Sequence, residues 1–457
     1  MVRILDLKKN DIYTAEITGI TAEGNGICRI KNIAVFVPFA AVGDKAEIRL
    51  VKTGKNYAFG KIERLLVPSP DRIDSDCQYF GKCGGCVFRH VSYDAEKSYK
   101  SSLVTDVVSR IGGLSESIVK PLIGAENTNW YRNKIQLPFA RDKDGKIRVG
   151  FFAPRSHRII SISSCLLQST AFDRAVKNVL QWANEENIEP YNEKTQTGVL
   201  RHLYLRHAAK TDELMVCLVI CAKKVKGEDR LVNRLHADLP NLKTVVLNIN
   251  TAHTNVITGD TCRTLYGDGF ITDELCGMNF RISPLSFYQV NHDQAECLYK
   301  KARDYAALKP HETLVDLYCG TGTIGLTMAS DIKHLIGVEI VEQAVENAIQ
   351  NAKANGIKNA DFICADASKA AQSLKEHGIK PDCIIIDPPR KGCSPNLVQT
   401  MAHMKPSRIV YVSCEPSTLA RDLKLFSSLG YTVCEITPID LFPRTGHVET
   451  VVLMSRK

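Results

Sequence analysis

The segment Thr313–Leu326, TLVDLYCGTGTIGL, limits the fold more than any other stretch of the 457-residue chain. Leu314, Val315 and Leu317 read as a buried strand. Gly320-Thr321-Gly322-Thr323 reads as a tight turn, and a helix follows. The two glycines let the backbone approach a ligand closely, and the helix N-terminus can meet an anionic or polar group. The next apolar strand, HLIGVE, ends at Glu339, 23 residues beyond Asp316. A nucleotide-binding α/β unit places a carboxylate for a ribose diol at about this distance. The spacing does not choose among nucleotide cofactors.

From about residue 276 onward strands and helices alternate, the pattern of an α/β sheet. VEQAVENAIQNAKANG is a helix that stops at Gly356. FICAD leads to Asp366, CIIIDPPRKGC to Asp387-Pro388-Pro389-Arg390, and IVYVSCEP to Ser413-Cys414-Glu415-Pro416. ETVVLMSR is a last strand with Glu449 near its start. Ligands in such sheets bind at the carboxyl ends of the strands, so Tyr318, Glu339, Asp366, Asp387 and Cys414 are expected to share one cleft. A cysteine beside a nucleotide site suggests covalent catalysis, with an acidic residue as base. Cys414 is the candidate nucleophile, Cys393 its rival, and Glu449 the candidate base.

Residues 1–64 read as short β-rich runs separated by Gly, Asn or Asp, five strands that suit a small OB-like barrel. Eleven Lys/Arg against seven Asp/Glu give this module a net charge of +4. Phe36, Phe39, Tyr57 and Phe59 alternate with Arg29, Lys31, Lys52 and Lys55, as in surfaces that stack bases and meet phosphates of single-stranded nucleic acid. Pro68-Ser69-Pro70 reads as a linker. Cys77, Cys83 and Cys86 then form C-x5-C-x2-C, a metal signal, and zinc or an iron–sulfur cluster would each need a fourth ligand. Cys165, the next cysteine, is the candidate. Tyr93–Leu114 has helical periodicity and ends at Gly112-Gly113. Residues 130–275 look α+β, with an Asp144-Gly145 hairpin and antiparallel strands in LRHLYLRHA, ELMVCLVICAK and TVVLNIN. Trp130, Tyr131, Arg132 and Lys134 suit either nucleic acid or a solvated strand edge.

The net charge of +9 is compatible with a polyanionic partner. No apolar run nears the roughly 18 residues that span a membrane, and MVRILDLKKND lacks the apolar centre of a secretion signal. Sixteen cysteines without such a signal point to reduced thiols and a cytoplasmic location.

Several motifs together resemble the RNA (uracil-5-)-methyltransferases: DLYCGTG, SFYQVN, IIDPPRKG, VSCEPSTLARDL and FPRTGHVETV. VPFAAVGD with CQYFGKCGGC is similar to the iron–sulfur branch of that family with a TRAM domain, which includes 23S ribosomal RNA enzymes. The resemblance implies S-adenosylmethionine as methyl donor and uridine in RNA as substrate, most nearly ribosomal rather than transfer RNA; a monomer is expected. It assigns Cys414 as nucleophile and Glu449 as base. It assigns the cofactor to Gln289, Tyr318, Glu339 and Asp387, with Thr323 and Asp366, and a [4Fe–4S] cluster to Cys77, Cys83, Cys86 and Cys165. The implied architecture is multidomain α/β: an OB-like TRAM barrel over residues 1–66, a central α+β domain over 72–92 and 125–275 holding the cluster, and a Rossmann-like methyltransferase domain over 93–124 and 276–457. An N6-adenine methyltransferase would share the Asp-Pro-Pro strand end but need no thiol. An iron–sulfur RNA-binding protein would keep the fold as a scaffold only.

Overall fold

The structure, a computed structural model, describes residues 7–154, 156–253 and 256–457, so the first six residues of the 1–66 segment lie outside it. The N-terminal module forms six strands rather than five: Ile12–Glu16, Gly19–Ile20, Asn25–Ile30, Ile33–Pro38, Lys45–Thr53 and Tyr57–Val67. The extra strand arises because the chain changes partner at Ile17. Residues 12–16 pair with 45–49, whereas Gly19 and Ile20 pair with Ile27 and Gly26. Ile17, Val35, Val37, Ile48 and Leu50 fill the interior. Phe36, Tyr57 and Phe59 stay outside that core, with ring centroids 5.6–6.0 Å apart. They form an outward aromatic cluster.

The linker expected at Pro68-Ser69-Pro70 is instead anchored. Ser69 is buried, and its N–H donates to Asp44 at 3.0 Å. The fully buried Asp44 carboxylate also accepts from Ala41 N at 2.7 Å and pairs with Arg72 at 2.6 Å. A buried carboxylate needs such donors around it, and collecting them locks the chain on both sides of the prolines. Ala41 further shares a buried apolar cluster with Phe88, Val91 and Ala95. The barrel is thus docked on the rest of the chain.

The central sheet has seven strands in the order Thr261–Tyr266, Leu242–Ile249, Leu214–Ile220, Leu200–His207, Lys134–Arg141, Ile147–Phe152 and Ile159–Ser161. It is not wholly antiparallel: Leu214–Ile220 and Leu242–Ile249 run parallel. Their connection carries the helix Glu228–Asp238, and a parallel pair needs such a crossover. The strand Leu214–Ile220 is buried at every position, the continuous apolar pattern of a strand covered on both faces. One face packs on Glu228–Asp238 and Ala171–Glu185. Through Tyr204, Met215 and Cys217 the other face joins the core of the C-terminal sheet.

The C-terminal sheet has the order Ala360–Cys364, His334–Glu339, Thr313–Leu317, Cys383–Ile386, Arg408–Ser413, Glu449–Arg456, Tyr431–Ile439. The first five strands are parallel, and Glu449–Arg456 is antiparallel to Arg408–Ser413. Strand order reverses direction at Thr313–Leu317, the place where a doubly wound sheet opens a crevice. Helix Tyr93–Arg110 packs Val104 and Val108 into this sheet's core beside Leu419 and Phe426. The expected boundary at 275/276 falls in the turn of a hairpin between Ile271–Leu275 and Met278–Ile282. The hairpin is tied to both units: Asn279 N donates to Asn355 at 2.9 Å, and Thr272 N donates to Glu213 of the central domain at 2.7 Å. No described helix is long and apolar enough to cross a membrane.

Candidate active site

The strand Thr313–Leu317 ends at Tyr318, which holds a left-handed φ of 70°, followed by Gly320 at 56° and Gly322 at 82°. A non-glycine residue in that region stores strain, a feature of ligand clamps. The turn directs Gly320 N toward the neighbouring strand end, where it donates to Glu339 at 3.1 Å. The other Glu339 oxygen accepts from Ile340 N and Val341 N at 2.8 and 2.9 Å. Glu339 is thereby fixed by backbone donors at the rim of the crevice. Beneath it, Asp316 accepts from Gly325 N at 2.9 Å with one oxygen, and its other oxygen has no partner. Burial pushes the Asp316 carboxyl up to about 8.

The crevice is a cavity of about 770 Å³, and Gln289, Tyr318, Glu339, Asp366, Asp387, Cys414 and Glu449 all line it. Topology explains why the last two meet. Cys414 follows a parallel strand, whereas Glu449 begins an antiparallel one, and Ser413 pairs with Thr450. The start of one strand therefore lies beside the end of the other. Burial raises the Cys414 thiol to about 11, with Glu449 and Asp387 adding to the rise and Arg390 opposing it. Glu449 is pushed up to about 8 by burial and by Asp387, again opposed by Arg390. Asp387 is raised to about 7 by burial. The four groups thus act on one another across a single site.

Asp366 also shapes the backbone around it. Its carboxylate caps helix Ala367–Glu376, accepting from Ser368 N at 3.0 Å and Lys369 N at 3.2 Å. Thr323 is not brought to the cavity. It is buried behind the glycine turn, its hydroxyl 2.9 Å from the Tyr299 hydroxyl. Cys393 also faces away, packed in the core with its N–H donating to Asp422 at 2.8 Å. Arg132, Phe287, Arg390, Phe442 and His447 also line the cavity. Of these, sequence reasoning weighed only Arg132, and without a decision. Phe287 is 62% exposed, and its place in SFYQVN, two residues before Gln289, was the available signal. His447, two residues before Glu449, lies within 3.4 Å of Arg390, and burial holds its imidazole below the usual value.

The segment 440–444, just before His447 and Glu449, is held carbonyl by carbonyl. Asp440 O accepts from Gln294, Leu441 O from Asn291, Phe442 O from Lys100 and Pro443 O from Tyr131, at 2.8–3.1 Å. Arg444 O accepts from Val87 N and Phe88 N at 2.9 and 3.2 Å. Lys100, itself buried, pairs with Glu96 at 2.8 Å and Asp440 at 2.7 Å. Two residues on, a Cβ at Gly446 would lie 2.3 Å from the Ala22 carbonyl oxygen of the N-terminal barrel. Every part of the fold touches the loop that delivers Glu449.

The three motif cysteines and Cys165 lie near enough to influence one another. Cys83 and Cys165 are raised by burial, and Cys77 raises both further. Cys86 reaches about 12 by burial, with smaller contributions from Cys165 and Cys83. The Tyr79 hydroxyl ties the two segments together, 3.0 Å from the Ser163 hydroxyl and 3.1 Å from Ser163 N. No group of three or more His, Cys, Asp or Glu among the described residues is arranged to hold a metal ion.

Comparison with known proteins accords with this architecture. Residues 269–457 match the family described as tRNA (Uracil-5-)-methyltransferase, and residues 6–62 match the TRAM domain. A Clostridium tetani protein called an uncharacterized RNA methyltransferase is 42% identical, covering 100% of this chain and 98% of its own length. A Staphylococcus epidermidis protein of the same description is also 42% identical, over 99% of both chains. The crystal structure of Pyrococcus abyssi tRNA (uracil-54, C5)-methyltransferase with S-adenosyl-L-homocysteine is 28% identical. It superposes with a TM-score of 0.78 over 96% of this chain and 99% of that one. The chain therefore belongs to the RNA (uracil-5-)-methyltransferase family, as a member with an N-terminal TRAM domain.

Proposed function

We propose that this enzyme methylates carbon 5 of uridine in RNA, with S-adenosylmethionine as donor and Cys414 as covalent catalyst. The observation that carries the reading is the mutual placement of Cys414, Glu449, Asp387 and Arg390 in the cavity that Glu339 and the glycine turn also enter. The Cys414 thiolate bonds to carbon 6 of the ring, and the displaced electron pair makes an enolate. Carbon 5 attacks the donor's methyl carbon, whose bond to sulfur breaks to release S-adenosylhomocysteine. Glu449 takes the proton from carbon 5, and the thiolate leaves as the 5,6 double bond re-forms. Glu339 would take the ribose diol, and Ile340, 63% exposed on the cavity wall, would offer an apolar face to the purine. Gln289, Tyr318, Asp366 and Asp387 complete the donor site. Ribosomal RNA in the cytoplasm is the proposed substrate, on the cysteine motif and VPFAAVGD. The likeness to the Pyrococcus abyssi structure favours transfer RNA as the second reading. Mapping 5-methyluridine in both RNA pools of a deletion strain tests this. Loss from ribosomal RNA alone supports the first reading, loss from transfer RNA alone the second, and loss from neither refutes both.

The all-thiolate set Cys77, Cys83, Cys86 and Cys165 fits a [4Fe–4S] cluster in donor chemistry, and a cubane spreads its four thiolates more widely than a single ion does. Bound there, it would staple the 77–86 loop to the segment before the helix at Ala171–Glu185. Anaerobically purified protein is expected to hold about four iron and four sulfide per chain. Cys83→Ser should lose them and lower the melting temperature. Zinc without sulfide would refute the assignment.

The barrel is proposed to supply RNA affinity through its outward aromatics and cations. Phosphate contacts release counterions, so removing residues 1–67 should flatten the salt dependence of RNA binding. Because Ala22 abuts Gly446, turnover should fall as well. Gly446→Ala should lower turnover while leaving the salt dependence intact. Wild-type turnover in Gly446→Ala would limit the barrel to RNA binding.

A further inference from the structure

A second groove, about 900 Å³ in volume, lies at the far end of the central sheet, between Pro138–Arg141, Phe152, the 156–159 segment and residues 189–194. The strand Lys134–Arg141, which lines the groove, begins two residues after Arg132. Arg132 lines the catalytic cavity and Pro138 the groove; six residues of extended chain separate them by roughly 20 Å.

Three observations give the groove a ligand chemistry. The first is an orphaned polar atom. His202, opposite Pro138 in the sheet register, is 8% exposed, and its buried Nδ1 has no hydrogen-bond partner. An unpaired buried polar atom is destabilising, so its retention asks for an explanation. The second is charge. The groove's two carboxylates are both engaged, Glu189 with Arg141 at 2.7 Å and Glu193 with His157 at 3.3 Å. Arg158 and Lys194 are exposed and form no ion pair among the described residues, which leaves two free cations on the wall. The third is a pair of flat apolar surfaces. Tyr191 is held rigid by the Arg201 guanidinium 4.9 Å over its ring, and Arg201 is fixed by the carbonyls of Asn250 and Ala252. Phe152 is 38% exposed with its ring edge-on to His157 at 5.6 Å.

We propose that this groove binds a segment of the substrate RNA outside the target uridine, with phosphates on Arg158 and Lys194, a base against Tyr191 or Phe152, and a base edge or ribose hydroxyl on His202. Cations beside aromatic platforms are how proteins hold single-stranded nucleic acid. Burial keeps His202 neutral, its pKa lowered to about 4, which suits a neutral hydrogen-bonding group rather than a phosphate. The inference rests on the reading of the enzyme as an RNA methyltransferase and places a second contact about one sheet width from the chemistry.

The test compares full-length wild type, His202→Leu and the double variant Arg158→Ala/Lys194→Ala. The probes are unmethylated ribosomal and transfer RNA from a deletion strain, and a short stem-loop around the modified uridine. On the long RNA the double variant should bind at least about tenfold more weakly. Its log-affinity slope against log salt should be shallower by about 0.7 per lost phosphate contact. His202→Leu should bind the long RNA more weakly and melt no lower than wild type, since it removes an unpaired polar atom. Rates on the short stem-loop, and rates at saturating long RNA, should be unchanged in both variants. Photo-crosslinks from 4-thiouridine RNA should fall in the 138–141, 152–158 or 189–194 peptides. Unchanged long-RNA affinity in both variants overturns the groove assignment, as does His202→Leu unfolding with unaltered binding by the double variant. If wild type methylates no RNA, the proposed reaction fails, while filter binding of the same RNAs still decides the groove.

Discussion

Cys414→Ala is expected to lower methyl transfer by at least about 10⁴-fold, the scale seen when a catalytic nucleophile is removed, with the fold and donor affinity intact. Carbon 5 of uracil is too weak a nucleophile to attack an activated methyl group until a thiolate adds at carbon 6. Neither Cys393 nor Cys319 can substitute, because Cys393 is enclosed in the core and Cys319 is buried in the glycine turn. Cys393→Ala should therefore keep most of the activity. RNA carrying 5-fluorouridine should trap the wild type as an adduct that survives denaturation, since fluorine cannot leave as a proton does. Cys414→Ala should form none. The thiol, raised to about 11 in the free enzyme, also predicts that kcat/KM climbs with pH from 7 to 9. An active Cys414→Ala enzyme would point instead to amine methylation, which needs no thiol.

The C-terminal sheet was legible because its signals are local. Each parallel strand is a short apolar run ending in a residue with chemistry, and the glycine turn after Leu317 announces the switch point. The pairing of Cys414 with Glu449 was less so, because 35 residues separate them and only the antiparallel insertion of the last strand brings them together. The parallel pair in the central sheet was misread because a strand covered on both faces loses the alternation that marks direction and exposure. Thr323 entered only through the family resemblance, and the short helix Thr323–Leu326 sets its hydroxyl against Tyr299. The docking of the barrel was hidden for a similar reason. Pro68-Ser69-Pro70 has linker composition, and only the buried Asp44, 25 residues earlier, reveals that the segment is pinned. The five carbonyl contacts of residues 440–444 come from backbone oxygens, which no residue type advertises.

Glu449→Gln is expected to allow methyl transfer but slow product release by about 10²–10⁴-fold, the usual contribution of a positioned base. The base acts only after the methyl group has moved, so the methylated, cysteine-linked RNA should accumulate and be visible as a denaturation-resistant complex. The same substitution should change stability in a direction fixed by the raised pKa. Folding shifts Glu449 from 4.5 to about 8, through burial first and Asp387 second. Between those values the folded chain holds a proton that the unfolded chain has released, so stability falls as pH rises across that window. Glutamine cannot ionise and avoids this loss. Melting temperatures of Glu449→Gln and wild type should therefore converge near pH 4.5 and separate progressively toward pH 8.5, with the variant higher. A stabilised but release-deficient variant is the signature of a carboxylate buried for chemistry at a cost in stability. Full multiple-turnover activity in Glu449→Gln would remove the residue from the mechanism, and a variant less stable than wild type at pH 8.5 would mean that its buried carboxylate is held by contacts stronger than the burial that opposes it.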